Sequence, residues 1–92
     1  STYSLSYIFN FNFKNIIHGY TSRRINPINA AGRQNDGFIF IIQGKCIYTF
    51  TDDRTFTAKE GDILYLSKNS KYQMDVQCDK YEFVYFDFDE TK

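Results

Sequence analysis

From Phe38 onward the apolar residues fall in short runs, each closed by a turn, and nowhere do they repeat every 3.6 residues. Residues 38–43 and 45–51 read as strands joined at Gly44. The sequence Thr51-Asp52-Asp53-Arg54 turns the chain, and residues 55–58 bring it back in a hairpin. Lys59-Glu60-Gly61-Asp62 is a second turn, followed by a strand at residues 63–66 and a polar loop at 67–71. In residues 72–77, Tyr72, Met74 and Val76 alternate with Gln73, Asp75 and Gln77, and a last strand spans residues 81–88. Upstream, Tyr3, Leu5, Tyr7, Phe9, Phe11 and Phe13 occupy every second position, which is strand periodicity. Residues 16–25 form a weaker strand candidate, and the Asn-, Pro-, Ala- and Gly-rich residues 26–37 read as loop. Many short strands with frequent turns predict an all-β sandwich or barrel.

The chain is short enough to require one domain. At 92 residues it buries only about two thirds of its unfolded surface, so the apolar residues must pack efficiently. Ten Phe and eight Tyr supply the largest burial per side chain. Eleven basic residues balance eleven acidic ones, which leaves no net field to attract DNA or an anionic membrane. No apolar run approaches the ~18 residues of a membrane span, and no basic segment followed by an apolar stretch marks a signal peptide. Cys46 and Cys78 stand far apart without a CxxC, as buried thiols in a reducing, cytoplasmic setting would.

The stretch GDILYLSKNSKY, residues 61–72, carries the spacing of a metal-binding motif without its ligands. The second motif of the cupin superfamily, a small β-barrel, runs glycine, five residues, Pro-x-Gly, two residues, His, three residues, Asn. Here Gly61 is followed by five residues, Ser67-Lys68-Asn69, two more, Tyr72, three more and Val76. The first motif is His-x-His, a short gap, Glu, six residues and Gly. Counting back from Gly44 places Gly37 at the glutamate, and a three-residue gap places Arg33 and Ala31 at the two histidines. The sequence thus resembles a cupin whose four metal ligands have been replaced. A catalytic transition-metal site needs about three protein ligands, usually His and carboxylate. The chain's single histidine, His18, lies outside both motifs. No metal or other cofactor is expected.

Within the cupins, the chain resembles the sensor domain of AraC-family transcription regulators from about Arg33 to Asp89. Three pieces carry the resemblance: GFIFIIQGK at residues 37–45, EGDILYL at 60–66 and YEFVYF at 81–86. Glu60 replaces the usual proline, and the loop after Leu66 lacks the usual Pro and His. The resemblance implies a small cupin-like β-barrel of the double-stranded β-helix or jelly-roll type. It also implies an effector-binding and dimerisation domain, expected to act as a homodimer. DNA would be contacted only through helix-turn-helix units C-terminal to this domain.

Alternate residues of a barrel strand face its interior. Tyr81, Phe83 and Tyr85 share one face of the last strand, Tyr72 and Met74 one face of the strand before it. Arg33, at a former histidine position, would direct its guanidinium into the same cavity. In the arabinose-responsive member of the family an arginine near this place contacts the sugar. Arg33, Tyr72, Met74, Tyr81, Phe83 and Tyr85 are therefore the candidate ligand-binding residues for a small polar effector such as a sugar, whose apolar faces suit aromatic rings. Each has a plainer alternative: the aromatic residues and Met74 as core, Arg33 as part of a solvated loop. At the level of function, the alternatives are a ligand-free dimerisation or interaction barrel and, less favoured, a metal-independent cupin enzyme acting on sugars.

Overall fold

A computed structural model of the chain describes residues 11–90, and their side chains over residues 14–88. Eight strands follow one another: β1 (Phe11–Thr21), β2 (Arg24–Asn26), β3 (Asp36–Gln43), β4 (Lys45–Phe50), β5 (Thr55–Lys59), β6 (Ile63–Leu66), β7 (Tyr72–Val76) and β8 (Tyr81–Glu90). Among the described residues there is no helix, and so none that is long and apolar enough to cross a membrane. The strands form two four-stranded antiparallel sheets, one in the order β1-β8-β3-β6 and the other β2-β7-β4-β5. The all-β expectation holds, as does the β4–β5 hairpin, in which Thr49 pairs with Thr55 and Lys45 with Lys59.

One reading of the sequence is corrected. The weak strand at residues 16–25 is an eleven-residue strand, β1, that pairs with β8 along its length, followed by the separate short strand β2. Of the alternating N-terminal stretch, Phe11 and Phe13 belong to β1, while Tyr3, Leu5, Tyr7 and Phe9 lie outside the described residues. Strands β3 and β4, consecutive across Gly44, do not pair with each other; they belong to different sheets. Gly44 takes φ 97°, and a Cβ there would stand 2.5 Å from the Lys80 carbonyl oxygen. A positive φ with backbone at that distance admits glycine alone, and this is where the chain passes from one sheet to the other.

The core lies between the sheets. Ile39 and Ile41 of β3, Cys46 and Tyr48 of β4, Leu66 of β6, Val76 of β7 and Tyr81 of β8 are fully enclosed, with Phe50, Ala58 and Tyr72 beside them. The inward positions pair across each sheet: Gly37, Ile39 and Ile41 lie opposite Asp87, Tyr85 and Phe83, and Cys46, Tyr48 and Phe50 lie opposite Val76, Met74 and Tyr72. The outward faces differ. The second sheet turns Thr49, Thr55, Thr57, Gln73 and Asp75 outward, with Ile47 and the exposed Ile25 among them, a mainly polar face. The first sheet turns out Ile16, Tyr20, Phe38, Phe86, Ile63 and Tyr65. Ile16, Tyr20, Ile63 and Tyr65 are more than half exposed.

Candidate functional site

The loop between β2 and β3 and the loop between β6 and β7 are bound to each other, and together they hold Arg33 inside one end of the barrel. The Asn69 amide donates to the Arg33 carbonyl at 2.8 Å, and the Arg33 amide donates to the Ser70 carbonyl at 3.0 Å. Asn29 clamps the junction: its side-chain oxygen accepts from the Tyr72 amide at 2.9 Å, and its side-chain NH2 donates to the Ser70 carbonyl at 3.3 Å. Gly32, at φ 75°, lies so close to Asn69 that a Cβ would come within 2.7 Å of its carbonyl oxygen. Asn69 itself has φ 70°. It stands where the cupin motif has its second glycine, and asparagine is among the residues that best tolerate this left-handed conformation. The loop has therefore kept its backbone shape while losing its glycine and proline.

The side chain of Arg33 enters the space enclosed by the motif positions. Its Nη2 donates to Asp87 Oδ1 at 2.6 Å, its Nη1 to the Tyr72 hydroxyl at 3.3 Å and its Nε to the Asn35 carbonyl at 3.2 Å, and its Cζ lies 5.5 Å from the centre of the Tyr85 ring. The side chains of Arg33 and Asp87 are only 12% and 13% exposed. Burial opposes the guanidinium charge, but the Tyr72 hydrogen bond and the nearby Tyr72, Asp87 and Tyr85 groups outweigh it and raise the Arg33 pKa. Gly37 makes the arrangement possible. A Cβ at Gly37 would stand 2.7 Å from both Arg33 Nη2 and Asp87 Oδ1. Three former metal-ligand positions thus converge as the spacing predicts: Arg33 supplies a fixed cation, Tyr72 a hydroxyl, and Gly37 the room for both. Ala31, the fourth, is exposed and takes no part.

Gly37→Ala is accordingly expected to destabilise the domain by about 1–3 kcal/mol, the range for overpacking a filled interior. Urea unfolding would measure the loss. Full tolerance of the methyl group would mean that Arg33 and Asp87 can part without cost.

The other candidates lie along a ladder of rings on the inner face of β8. Phe83 packs between Tyr81 at 5.5 Å and Tyr85 at 5.1 Å. Tyr81 is wholly buried and shares a 2.8 Å hydrogen bond with the Tyr48 hydroxyl, which makes it a core residue at the far end of the ladder. Met74 also sits apart from Arg33, its sulfur 4.0 Å from the Asn26 side-chain nitrogen. Of the six candidates, then, Arg33, Tyr72 and Tyr85 are brought together. The solvated-loop alternative for Arg33 is ruled out by its burial. His18, on the edge strand β1, is exposed, and its Nε2 lies 2.7 Å from Glu82 Oε2. That bond, against a small opposing effect of desolvation, lowers the Glu82 pKa. Among the described residues no group of His, Cys, Asp and Glu is arranged to hold a metal ion.

Two residues of the cluster were not singled out from sequence. Asp87 has the parity of Tyr81, Phe83 and Tyr85 on β8, so extending the inward face by two residues would have found it. Asn29 sits in an irregular loop, where no periodicity could mark it.

A profile of the EutQ-like cupin domain matches residues 30–85, well over half of the chain. The chain belongs to the EutQ-like cupin family. Among solved structures, this cupin is similar to the EutQ protein of Clostridium difficile, with a TM-score of 0.68 at 20% identity over 79% of this chain and 54% of that one. It thus spans about half the length of that EutQ protein. An RmlC-like cupin with a double-stranded β-helix fold from Methanocaldococcus jannaschii matches with a TM-score of 0.67 at 26% identity, over 78% of this chain and 66% of that one. A Neisseria meningitidis protein matches with a TM-score of 0.67 at 14% identity, over 86% and 83%. A search of curated proteins returns no match. The cupin expectation is met and the family is now specified; the regulator context belongs to the functional reading below.

Proposed function

We propose that this cupin is a recognition domain rather than a catalyst: an effector-binding and dimerisation module that takes a small polar ligand such as a sugar, in the manner of AraC-type sensor domains. The observation that carries the reading is the Arg33–Asp87–Tyr72 cluster at the former metal-ligand positions. Its charges are matched within the protein, so it offers hydrogen bonding at fixed positions in place of coordination. Three donors of the Arg33 fork are engaged within the chain, of the five a guanidinium carries. Catalysis without a metal would need a free acid–base group in the barrel. Asp87 is buried there, but Arg33 holds it as an ion pair, which makes the enzyme reading the less favoured one.

Dimerisation has a surface to use. The outer face of the β1-β8-β3-β6 sheet is the more apolar of the two, and a second copy of the domain, presenting the same Ile63 and Tyr65 side chains, is its proposed partner. Replacing both Ile63 and Tyr65 by lysine is expected to convert a dimer to a monomer in light scattering.

The ligand is tested by a thermal-shift screen of the domain against neutral and charged saccharides, with divalent metals as a separate arm. A saccharide at a hundred times its Kd stabilises by about 2.7 kcal/mol, a shift of several degrees. Strong stabilisation by a metal instead would refute the recognition reading. The regulator context further requires helix-turn-helix units in the full-length protein; their absence would leave a ligand-binding barrel of another kind.

A further inference from the structure

We infer that the ligand of this cupin is a small organic anion bearing hydroxyl groups, and that it binds on the rim of the barrel rather than in the interior. This rests on the recognition reading above and moves the site. The interior position is crowded: Arg33, Asp87 and Tyr72 bond one another there, and a single Cβ at Gly37 would already stand 2.7 Å from two of them. Directly outside it, on the far side of the same loop, is a pocket of about 280 Å³ formed by residues 67–71 together with Phe50, Thr51, Asp52 and Arg54. Drug-sized ligands take about 300–1,000 Å³, so this volume suits a single sugar ring.

The chemistry of the walls selects for charge. Lys68, Lys71 and Arg54 line the pocket against one carboxylate, Asp52. In a chain whose net charge is zero, that is a local excess of two positive charges. Ser67, Ser70 and Asn69 add hydroxyl and amide groups able to bond either phosphate or sugar oxygens. The site is also held in shape. Arg54 Nε is fixed to Asp52 Oδ2 at 2.7 Å, and its guanidinium lies 5.0 Å from the Phe50 ring centre, which makes Phe50 the apolar floor. On the opposite wall, the Lys68 amide is anchored to Asp36 Oδ1 at 2.7 Å and the Asn69 amide to the Arg33 carbonyl. Both rim turns carry a non-glycine residue at positive φ, Asp53 at 69° and Asn69 at 70°, each held open by the residues around it. Phe50 also packs on Tyr72 at 5.3 Å, so the rim pocket and the Arg33 cluster share a wall. A ligand at the rim would bias the loop that carries both.

The decisive experiment titrates the protein with glucose 6-phosphate, glucuronate, inorganic phosphate and neutral glucose, following backbone amide NMR shifts. The sugar phosphate or sugar acid should bind, with shifts confined to residues 50–54 and 67–71. Affinity should fall at least tenfold in K68A/K71A, whose side chains are on the surface, and should weaken as salt is raised. Phosphate binding as tightly as both sugars would overturn the hydroxyl requirement. Binding of neutral glucose that survives in K68A/K71A and is lost in Y85F would place the ligand in the interior; that overturns the rim site and leaves the recognition reading standing. No binding of any of the four overturns both.

Discussion

Asp87→Ala should lower the stability of the domain by about 3 kcal/mol, whereas joint replacement of the pair by Arg33→Met and Asp87→Leu should restore it to within about 1 kcal/mol of the native protein. The asymmetry follows from burial. Removing one partner strands an ionised group in a site with almost no water, at a cost of about 3–5 kcal/mol for a fully buried pair. Residual exposures of 12% and 13% put the expected loss at the lower end. Removing both charges leaves apolar groups of similar volume, which are often tolerated without loss. A domain of 92 residues has a stability of about 5–14 kcal/mol, so the single substitution would remove a large part of it. Urea midpoints for Arg33→Met, Asp87→Leu and the double variant close the thermodynamic cycle, with Asp87→Ala measured beside them. Single-variant losses below about 0.5 kcal/mol would show a solvated ion pair, and the idea that a guanidinium has replaced the metal would fail.

The contrast with a metal centre clarifies what the substitution achieves. A metal ties several strands through one ion that must be acquired and can be lost. Arg33 ties the β2–β3 loop to β7 through Tyr72 and to β8 through Asp87, with a cation that is part of the chain and cannot dissociate. The site thereby gains permanence, which fits the recognition role proposed for it.

The convergence of Arg33, Gly37 and Tyr72 was legible because motif spacing survives the loss of the residues that gave it purpose. Backbone geometry fixes those intervals: the loop still needs a left-handed residue at Asn69 and the sheet crossing still needs Gly44. The inward parity of Tyr81, Phe83 and Tyr85 was legible for the same reason, since a strand's period is 2 whatever its partners are. Partnership between sheets was not. The strands on either side of Gly44 are adjacent in sequence, and only long-range pairing assigns β3 to β8 and β4 to β7. Nor does periodicity say which inward side chain is core and which is site. Tyr81 and Tyr85 share a face, yet Tyr81 bonds to Tyr48 and Tyr85 stacks under Arg33. The rim pocket was hidden for a further reason, because its lining comes from two turns that are remote in sequence and individually ordinary.

The second large effect lies in alkaline solution, where the stability of the domain should fall steeply above about pH 10. The Tyr48 and Tyr81 hydroxyls bond only 2.8 Å apart in the core, and both side chains are fully buried. Burial pushes the pKa values of Tyr48, Tyr81 and Tyr85 well above the usual phenol value, and it pushes the Cys46 thiol up to about 12. A group whose folded pKa is raised keeps its proton in the native state after the unfolded chain has released it. Its contribution to stability is therefore complete below the unfolded pKa and is lost as pH rises from there towards the folded value. For Cys46 the loss begins near pH 8.5, and for the three tyrosines near pH 10. Each group then costs about 1.4 kcal/mol per pH unit, so the tyrosines together give a slope of about 4 kcal/mol per unit. Two or three units of such a slope exhaust the stability of a domain this size. Urea midpoints followed from pH 8 to 11.5, with tyrosinate absorbance read in parallel, would show stability collapsing together with ionisation of the buried phenols. Replacing Tyr48 and Tyr81 jointly by phenylalanine should cut the tyrosine slope to about 1.4 kcal/mol per unit. If instead all the phenols ionise while the protein stays folded, the barrel interior is open to water, and the filled core that displaces the ligand to the rim does not exist.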